Sequence, residues 1–183
     1  MDHGESSYRR YLKGDEGAFQ EIVKLYFDGV VLFVHGYVKD LEVAEDIAID
    51  VFTQLVVHKN RFHFRNSLKT YLFMMGRSRA LDHLKHCKKL QFTELTPELP
   101  LADPQPGPEE QLIAEEEKRI IHKALLQLSE EQRTVLHLVY FQELRCEEVA
   151  RILKKSRKQI YNLLYKGKEN LRTILAKEGV AVL

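Results

Sequence analysis

The stretch Cys146-Glu147-Glu148-Val149-Ala150-Arg151-Ile152-Leu153-Lys154-Lys155-Ser156-Arg157-Lys158-Gln159-Ile160-Tyr161-Asn162-Leu163 decides how this chain is read. Val149, Ala150 and Leu153 share one face of a short helix. A brief gap follows to Ser156, a natural N-cap, and Ile160 and Leu163 lie on the same face of the next helix. That spacing lets two helices cross tightly, with the small Ala150 at the crossing and the other apolar residues closing a shared core. The pattern is a helix-turn-helix.

The second of these helices extends to about Lys177. Ile160, Leu163, Leu164, Leu171, Ile174 and Leu175 form its inward face. Ser156, Arg157, Lys158, Tyr161, Asn162, Tyr165, Lys166 and Lys168 lie at its start or point elsewhere. A solvated face normally mixes signs, whereas this one is nearly all cationic, with two tyrosines and an asparagine among the charges. Such a set suits phosphate contacts combined with base-edge readout in a major groove. An ordinary basic helix surface is the competing reading. The net charge of +1 hides strong segregation: 151–172 carries eight Lys or Arg against the single Glu169, while 91–117 carries eight acidic residues and no Lys or Arg. The C-terminal part attracts phosphate and the middle repels it.

All five prolines, Pro97, Pro100, Pro104, Pro106 and Pro108, fall in the acidic middle, and proline is scarcely tolerated inside helices. This marks a linker expected to stay unstructured in the free protein and to avoid duplex DNA. On either side the three-to-four-residue apolar spacing is helical throughout. The expected fold is therefore all-α, with a helical domain at 1–90, a flexible acidic linker at 91–108 and the helix-turn-helix domain at 109–183. In the first domain, Phe19, Ile22, Val23 and Tyr26 begin a stripe that continues through Phe27 to Val38. Val30 to Val34, between two glycines, is also compatible with a short buried strand, but the flanking stripe favours helix. Asp40 starts a third helix carrying Ala44, Ile47, Ala48, Val51, Phe52 and Leu55. A polar, aromatic break at 60–66 precedes a long helix from Ser67 to Lys89. In the second domain a helix is expected at 112–128. Ser129 with Gln132 forms a capping box for the next one, whose apolar residues include Val135, Leu138, Val139 and Phe141.

Two further faces carry chemistry. Glu42, Glu45, Asp46 and Asp50 stand opposite the apolar stripe of the third helix. Asp46 and Asp50 repel at four-residue spacing, and both lie too far along the helix for its dipole to favour them. A basic partner surface accounts for them, against the alternative of a solvated acidic face. The long helix carries Arg77, Arg79, Lys85, Lys88 and Lys89 with Asp82 as its only acid. Phe62, Phe64, Arg65 and Asn66 lie just upstream. Aromatics beside cations are equipment for holding unstacked bases, although Tyr71 and Phe73 fit core positions. His83, His86 and Cys87 share a helix face, but three donors without a fourth make a poor zinc site.

Taken in order, these segments resemble a bacterial sigma factor of the two-domain, extracytoplasmic-function type. Leu128 to Arg133, Cys146 to Leu153 and Ser156 to Leu163 are similar to the C-terminal domain that reads the promoter element at -35. Ala44 to Phe52 is similar to the segment that docks on the clamp helices of the polymerase largest subunit, and Tyr71 to Asp82 to the segment that opens and reads the -10 element. The resemblance implies a protein that binds core RNA polymerase, including the flap of the second-largest subunit, and promoter DNA, under the control of an anti-sigma factor. It places Glu45, Asp46, Asp50 and Phe52 on the polymerase, Arg65, Asn66, Arg77, Arg79, Asp82, His83 and Lys85 at the -10 element, and Ser156 to Lys168 at the -35 element. Ile49 stands where the family commonly has Gln, Ser78 where it has Asn and Tyr71 where it has Trp. Lys154 and Lys155 replace a Gly and an apolar residue in the turn. A lysine in left-handed geometry costs on the order of 1 kcal/mol, so the chain either tolerates that cost or turns differently here.

A conventional helix-turn-helix regulator with a sensing or dimerisation domain is the alternative. It leaves the basic helix and the acidic linker unexplained. No Gly-rich phosphate loop, nucleophile elbow or HExxH is present, so no catalysis, cofactor or metal is expected. Cys87 and Cys146 form no CxxC, and neither a signal sequence nor a long apolar run is seen, so the expected location is the cytoplasm.

Overall fold

The computed structural model describes residues 3–91, 120–121 and 123–177. Apart from Gln91 the expected linker lies outside these residues, as does much of the helix expected at 112–128. Seven helices can be followed in order: α1 (His3–Leu12), α2 (Glu16–Val38), α3 (Leu41–Val57), α4 (Leu68–Gln91), α5 (Glu130–Leu136), α6 (Cys146–Leu153) and α7 (Arg157–Lys177). Residues 120–121 and 123–126 are also helical, and a 3-10 turn spans Lys59–Arg61. No strand occurs among the described residues, so the class is all-α as expected. None of the helices described is long and apolar enough to cross a membrane.

Local chemistry sets the boundaries. Asp15 caps α2 by accepting from the Ala18 N–H at 3.2 Å, and Asp40 caps α3 from the Val43 N–H at 3.1 Å. The ambiguous Val30 to Val34 lies within α2, where Val30, Val31, Phe33 and Val34 are all buried. Gly76 lets α4 approach closely there, since a Cβ on it would lie 3.2 Å from Val34 Cγ2. Ile22, Val30, Val34, Val51, Leu55, Leu68, Leu72 and Phe73 form the centre of the N-terminal half, all at 2% exposure or less.

Helix α1 was not expected, because its only sizeable apolar residues are Tyr8, Tyr11 and Leu12. Aromatic packing secures it. Tyr8 is fully buried, lies edge-on to Phe62 at 5.4 Å and donates its hydroxyl to the Lys59 carbonyl at 2.8 Å. Burial first, then the neighbouring Tyr71 and Tyr11, push its pKa up to about 12.

In the C-terminal half, the Ser129 hydroxyl accepts from the Gln132 N–H at 3.3 Å while the Gln132 side chain accepts from the Ser129 N–H at 3.4 Å. This is the expected capping box. After α5 the chain widens into a π-helical turn at His137–Phe141, closed by the Gln142 N–H on the His137 carbonyl at 3.1 Å. Leu138 stays buried there, but Phe141 is 65% exposed, so it does not belong to the apolar stripe expected to include it. Gly167 brings α7 close to α5, since a Cβ on it would lie 3.2 Å from Leu136 Cδ1. Lys154 adopts the left-handed conformation at φ 53°, and the Lys155 N–H reaches the Ala150 carbonyl at 3.0 Å. The turn therefore keeps the geometry usually given to glycine, with lysine in its place.

Helix α6 lies along α4, and the buried core runs continuously from Tyr8 to Ile160.

Candidate nucleic-acid interface

The helix-turn-helix is built as its spacing requires. Val149, Ile152, Leu153 and Ile160 are buried between α6 and α7. Ser156 caps α7 reciprocally: its hydroxyl accepts from the Gln159 N–H at 3.3 Å, and its own N–H donates to the Gln159 side chain at 2.8 Å. The cap fixes the direction in which the first turn of α7 leaves the turn.

All eight residues expected at the -35 element are exposed: Ser156, Arg157, Lys158, Tyr161, Asn162, Tyr165, Lys166 and Lys168. Tyr161 is 53% exposed and Tyr165 68%. Arg157 lies 3.7 Å from Glu147, with both side chains partly in solvent, so this ion pair is weak and leaves the guanidinium available. Lys168 stands 5.0 Å above the Tyr140 ring. One convex, cationic face thus carries donors in its first turns and point charges further along.

The face expected at the -10 element is arranged differently. Arg65 is exposed, but the Asn66 Oδ1 accepts from Arg151 of α6 at 2.8 Å. Arg77 is half-buried, its Nε is shielded from solvent without a hydrogen-bond partner, and its side chain approaches Tyr37. Burial raises the Tyr37 pKa and the nearby Arg77 opposes that rise. Arg79 pairs with Asp50 at 2.9 Å, and Lys85 with Asp82 at 3.2 Å. His83 Nε2 lies 3.3 Å from Cys87 Sγ, while His86 is exposed. A cleft of about 290 Å³ between α3 and α4 is lined by His58, Arg61, Tyr71, Arg79 and Asp82. The aromatics of the break are structural. Phe62 is 5% exposed, and the Phe64 ring carries the Arg9 guanidinium 4.0 Å above it.

On the acidic face of α3, Glu45 and Asp46 are exposed and Asp50 is partly covered by Arg79. The structure therefore joins two residues that the sequence assigned to different partners. Phe52 is 5% exposed and packs on Phe27 at 5.7 Å, supporting the face from beneath.

Sequence reasoning missed Ser67, Thr70 and Glu148. Thr70 is fully buried and Glu148 is 8% exposed. The Glu148 Oε1 accepts from Ser67 Oγ at 2.9 Å and Thr70 Oγ1 at 3.0 Å. Burial opposes its charge, but hydrogen bonds from the Arg145 N–H, both hydroxyls and the Arg145 side chain prevail and hold the carboxyl below its usual range. Nothing local signals this contact, because its partners lie 78 and 81 residues away.

Comparison with known proteins agrees with the geometry. Residues 118–171, spanning α5, α6 and most of α7, match the family model described as sigma-70, region 4. The chain is 26% identical over 168 residues to the ECF RNA polymerase sigma factor SigW of Bacillus subtilis, covering 87% of this chain and 90% of the relative. It is 25% identical over 161 residues to the RNA polymerase sigma factor YlaC of the same organism, covering 87% and 93%. Its fold resembles that of the sigma factor RpoE in complex with the anti-sigma factor NepR from Bartonella quintana, at a TM-score of 0.63 and 19% identity, over 86% of this chain and 96% of that one. Its helix-turn-helix thus forms the segment that matches sigma-70 region 4, and along both halves the chain is similar to sigma factors of the extracytoplasmic-function type.

Proposed function

We propose that this chain binds core RNA polymerase and directs promoter-specific initiation, reading the -35 element with α7 and engaging the -10 element with the α4 face. The observation that carries the reading is the exposed cationic, tyrosine and asparagine face of α7 on a rigid, capped helix-turn-helix. Arg157 and Asn162 suit bidentate contacts to guanine and adenine edges, while Lys166 and Lys168 suit phosphate. Arg65, Asn66, Arg77, Arg79, His83 and Lys85 supply the -10 side, and Asp82 lies among them. Glu45, Asp46 and Asp50 offer charge to a basic polymerase surface. The chain does no covalent chemistry of its own and works in the cytoplasm. The neighbour whose solved structure contains an anti-sigma factor supports a regulatory partner of that kind here. Run-off transcription with purified core polymerase on promoter fragments tests the reading. Initiation at defined start sites only when the chain is added is the expected result, and its absence rejects the proposal.

A further inference from the structure

Asp50 belongs to the acidic face of α3, yet its carboxylate meets a cation of α4. Its Oδ2 lies 2.9 Å from Arg79 Nε, whereas Glu45 and Asp46 have no partner among the described residues. Val51 and Ala80, the neighbours of the pair along their helices, are buried at 1% and 0% exposure, so two packed backbones fix both ends of the contact. Arg79 in turn lines the cleft of about 290 Å³ between α3 and α4, together with His58, Arg61, Tyr71 and Asp82. Asp82 pairs instead with Lys85 at 3.2 Å. Asp50 therefore takes the Nε edge of the guanidinium, and among the described residues the two Nη groups have no partner.

An ion pair of this kind does little for stability. The side chains of Arg79 and Asp50 are 46% and 42% exposed, and solvent screens pairs so placed. A carboxylate beside a strand-facing cation also repels phosphate, since it lies within the screening length of about 8 Å at physiological salt. What the pair supplies is orientation. A free arginine has rotamers to lose when it binds, and its planar fork serves fully only when one edge is aimed. With Nε held, the Nη edge keeps a geometry that donates to two oxygens of one phosphate.

We propose that Asp50 is a positioning residue for the -10 element. It holds the Arg79 guanidinium with its Nη edge toward the cleft, ready for a backbone phosphate of the opened strand. The inference rests on the sigma-factor reading above, and it gives Asp50 a task besides the charge it offers the polymerase.

The test uses holoenzyme reconstituted with saturating amounts of the full chain, so that changes in core affinity cancel. It is titrated with a fork fragment that is unpaired over the -10 element and lacks the -35 element. If Asp50 were only a negative charge near DNA, Asp50→Asn would tighten binding. Positioning requires the opposite sign. Asp50→Asn should weaken binding roughly two- to tenfold, the ordering cost of one freed side chain. Its salt slope should stay as in wild type, because Arg79 still meets the phosphate. Arg79→Ala should weaken binding and lower the salt slope by about 0.7. In the Arg79→Ala background, Asp50→Asn should no longer weaken binding. Equal or tighter binding by Asp50→Asn beside a weakened Arg79→Ala overturns the positioning role alone. So does equal weakening by Asp50→Asn with and without Arg79, which marks an effect on the polymerase contact or the fold. Undiminished binding by Arg79→Ala removes Arg79 from the -10 element and the positioning role with it. Wild-type holoenzyme that binds the fork no better than core polymerase alone rejects the reading beneath both.

Discussion

Lys154 shows how a single residue is fitted to the turn. Two bonded carbonyls, an adjoining cap at Ser156 and the buried Leu153 and Ile160 on either side fix its backbone at φ 53°, although a side chain there meets the steric penalty of left-handed geometry. The lysine side chain is exposed, so removing it sacrifices little packing. Lys154→Gly should therefore stabilise the chain by about 0.5–1 kcal/mol, the relieved strain outweighing the extra freedom glycine gives the unfolded state. Urea unfolding checks this, with a higher midpoint at unchanged slope as the expected outcome.

On the proposed reading, helix α7 divides base readout and phosphate contact along its length. Replacing Lys166 or Lys168 with Ala should weaken all promoters alike and reduce the salt slope by about one. Arg157→Ala and Asn162→Ala should each change which -35 sequences are preferred, with roughly 1–3 kcal/mol of discrimination lost at one base pair. Selection from a randomised -35 library measures both effects. On α3 the two aspartates are not equivalent, because Asp50 is paired with Arg79 and Asp46 is exposed. Asp46→Lys should weaken binding to core polymerase with helicity unchanged. Asp50→Lys should also free Arg79 and place two cations together, and so perturb the α3–α4 junction as well. Pull-down beside thermal unfolding tells the two apart.

At the scale of the molecule, the docked halves share one core, so the free chain should unfold in a single transition whose calorimetric and van't Hoff enthalpies agree. The Glu148 carboxyl is held below its usual range in the folded state. Its contribution is therefore complete above the ordinary carboxylate range and is lost as pH falls through the depressed folded value. Acid should weaken the docking first and separate the transition into two. Scanning calorimetry from neutral pH downward checks this, and Thr70→Val should bring the separation on at a higher pH than in wild type.

Read alone, the sequence specifies the helices with strong apolar periodicity, the capped starts at Asp40 and Ser129, and the helix-turn-helix with its exposed cationic face. Periodicity, capping and turn spacing are local, and neighbours within a few residues specify them. Helix α1 escaped because its stability comes from Tyr8 packing on Phe62 and bonding to Lys59, far along the chain. The π turn at 137–141 was equally invisible, since nothing in its residue types distinguishes it from a continuing helix. The docking of the two halves was decided by tertiary structure alone. The pairing of Asp50 with Arg79 and the burial of Glu148 against Ser67 and Thr70 depend on three-dimensional proximity between residues whose separation in sequence leaves no pattern to read.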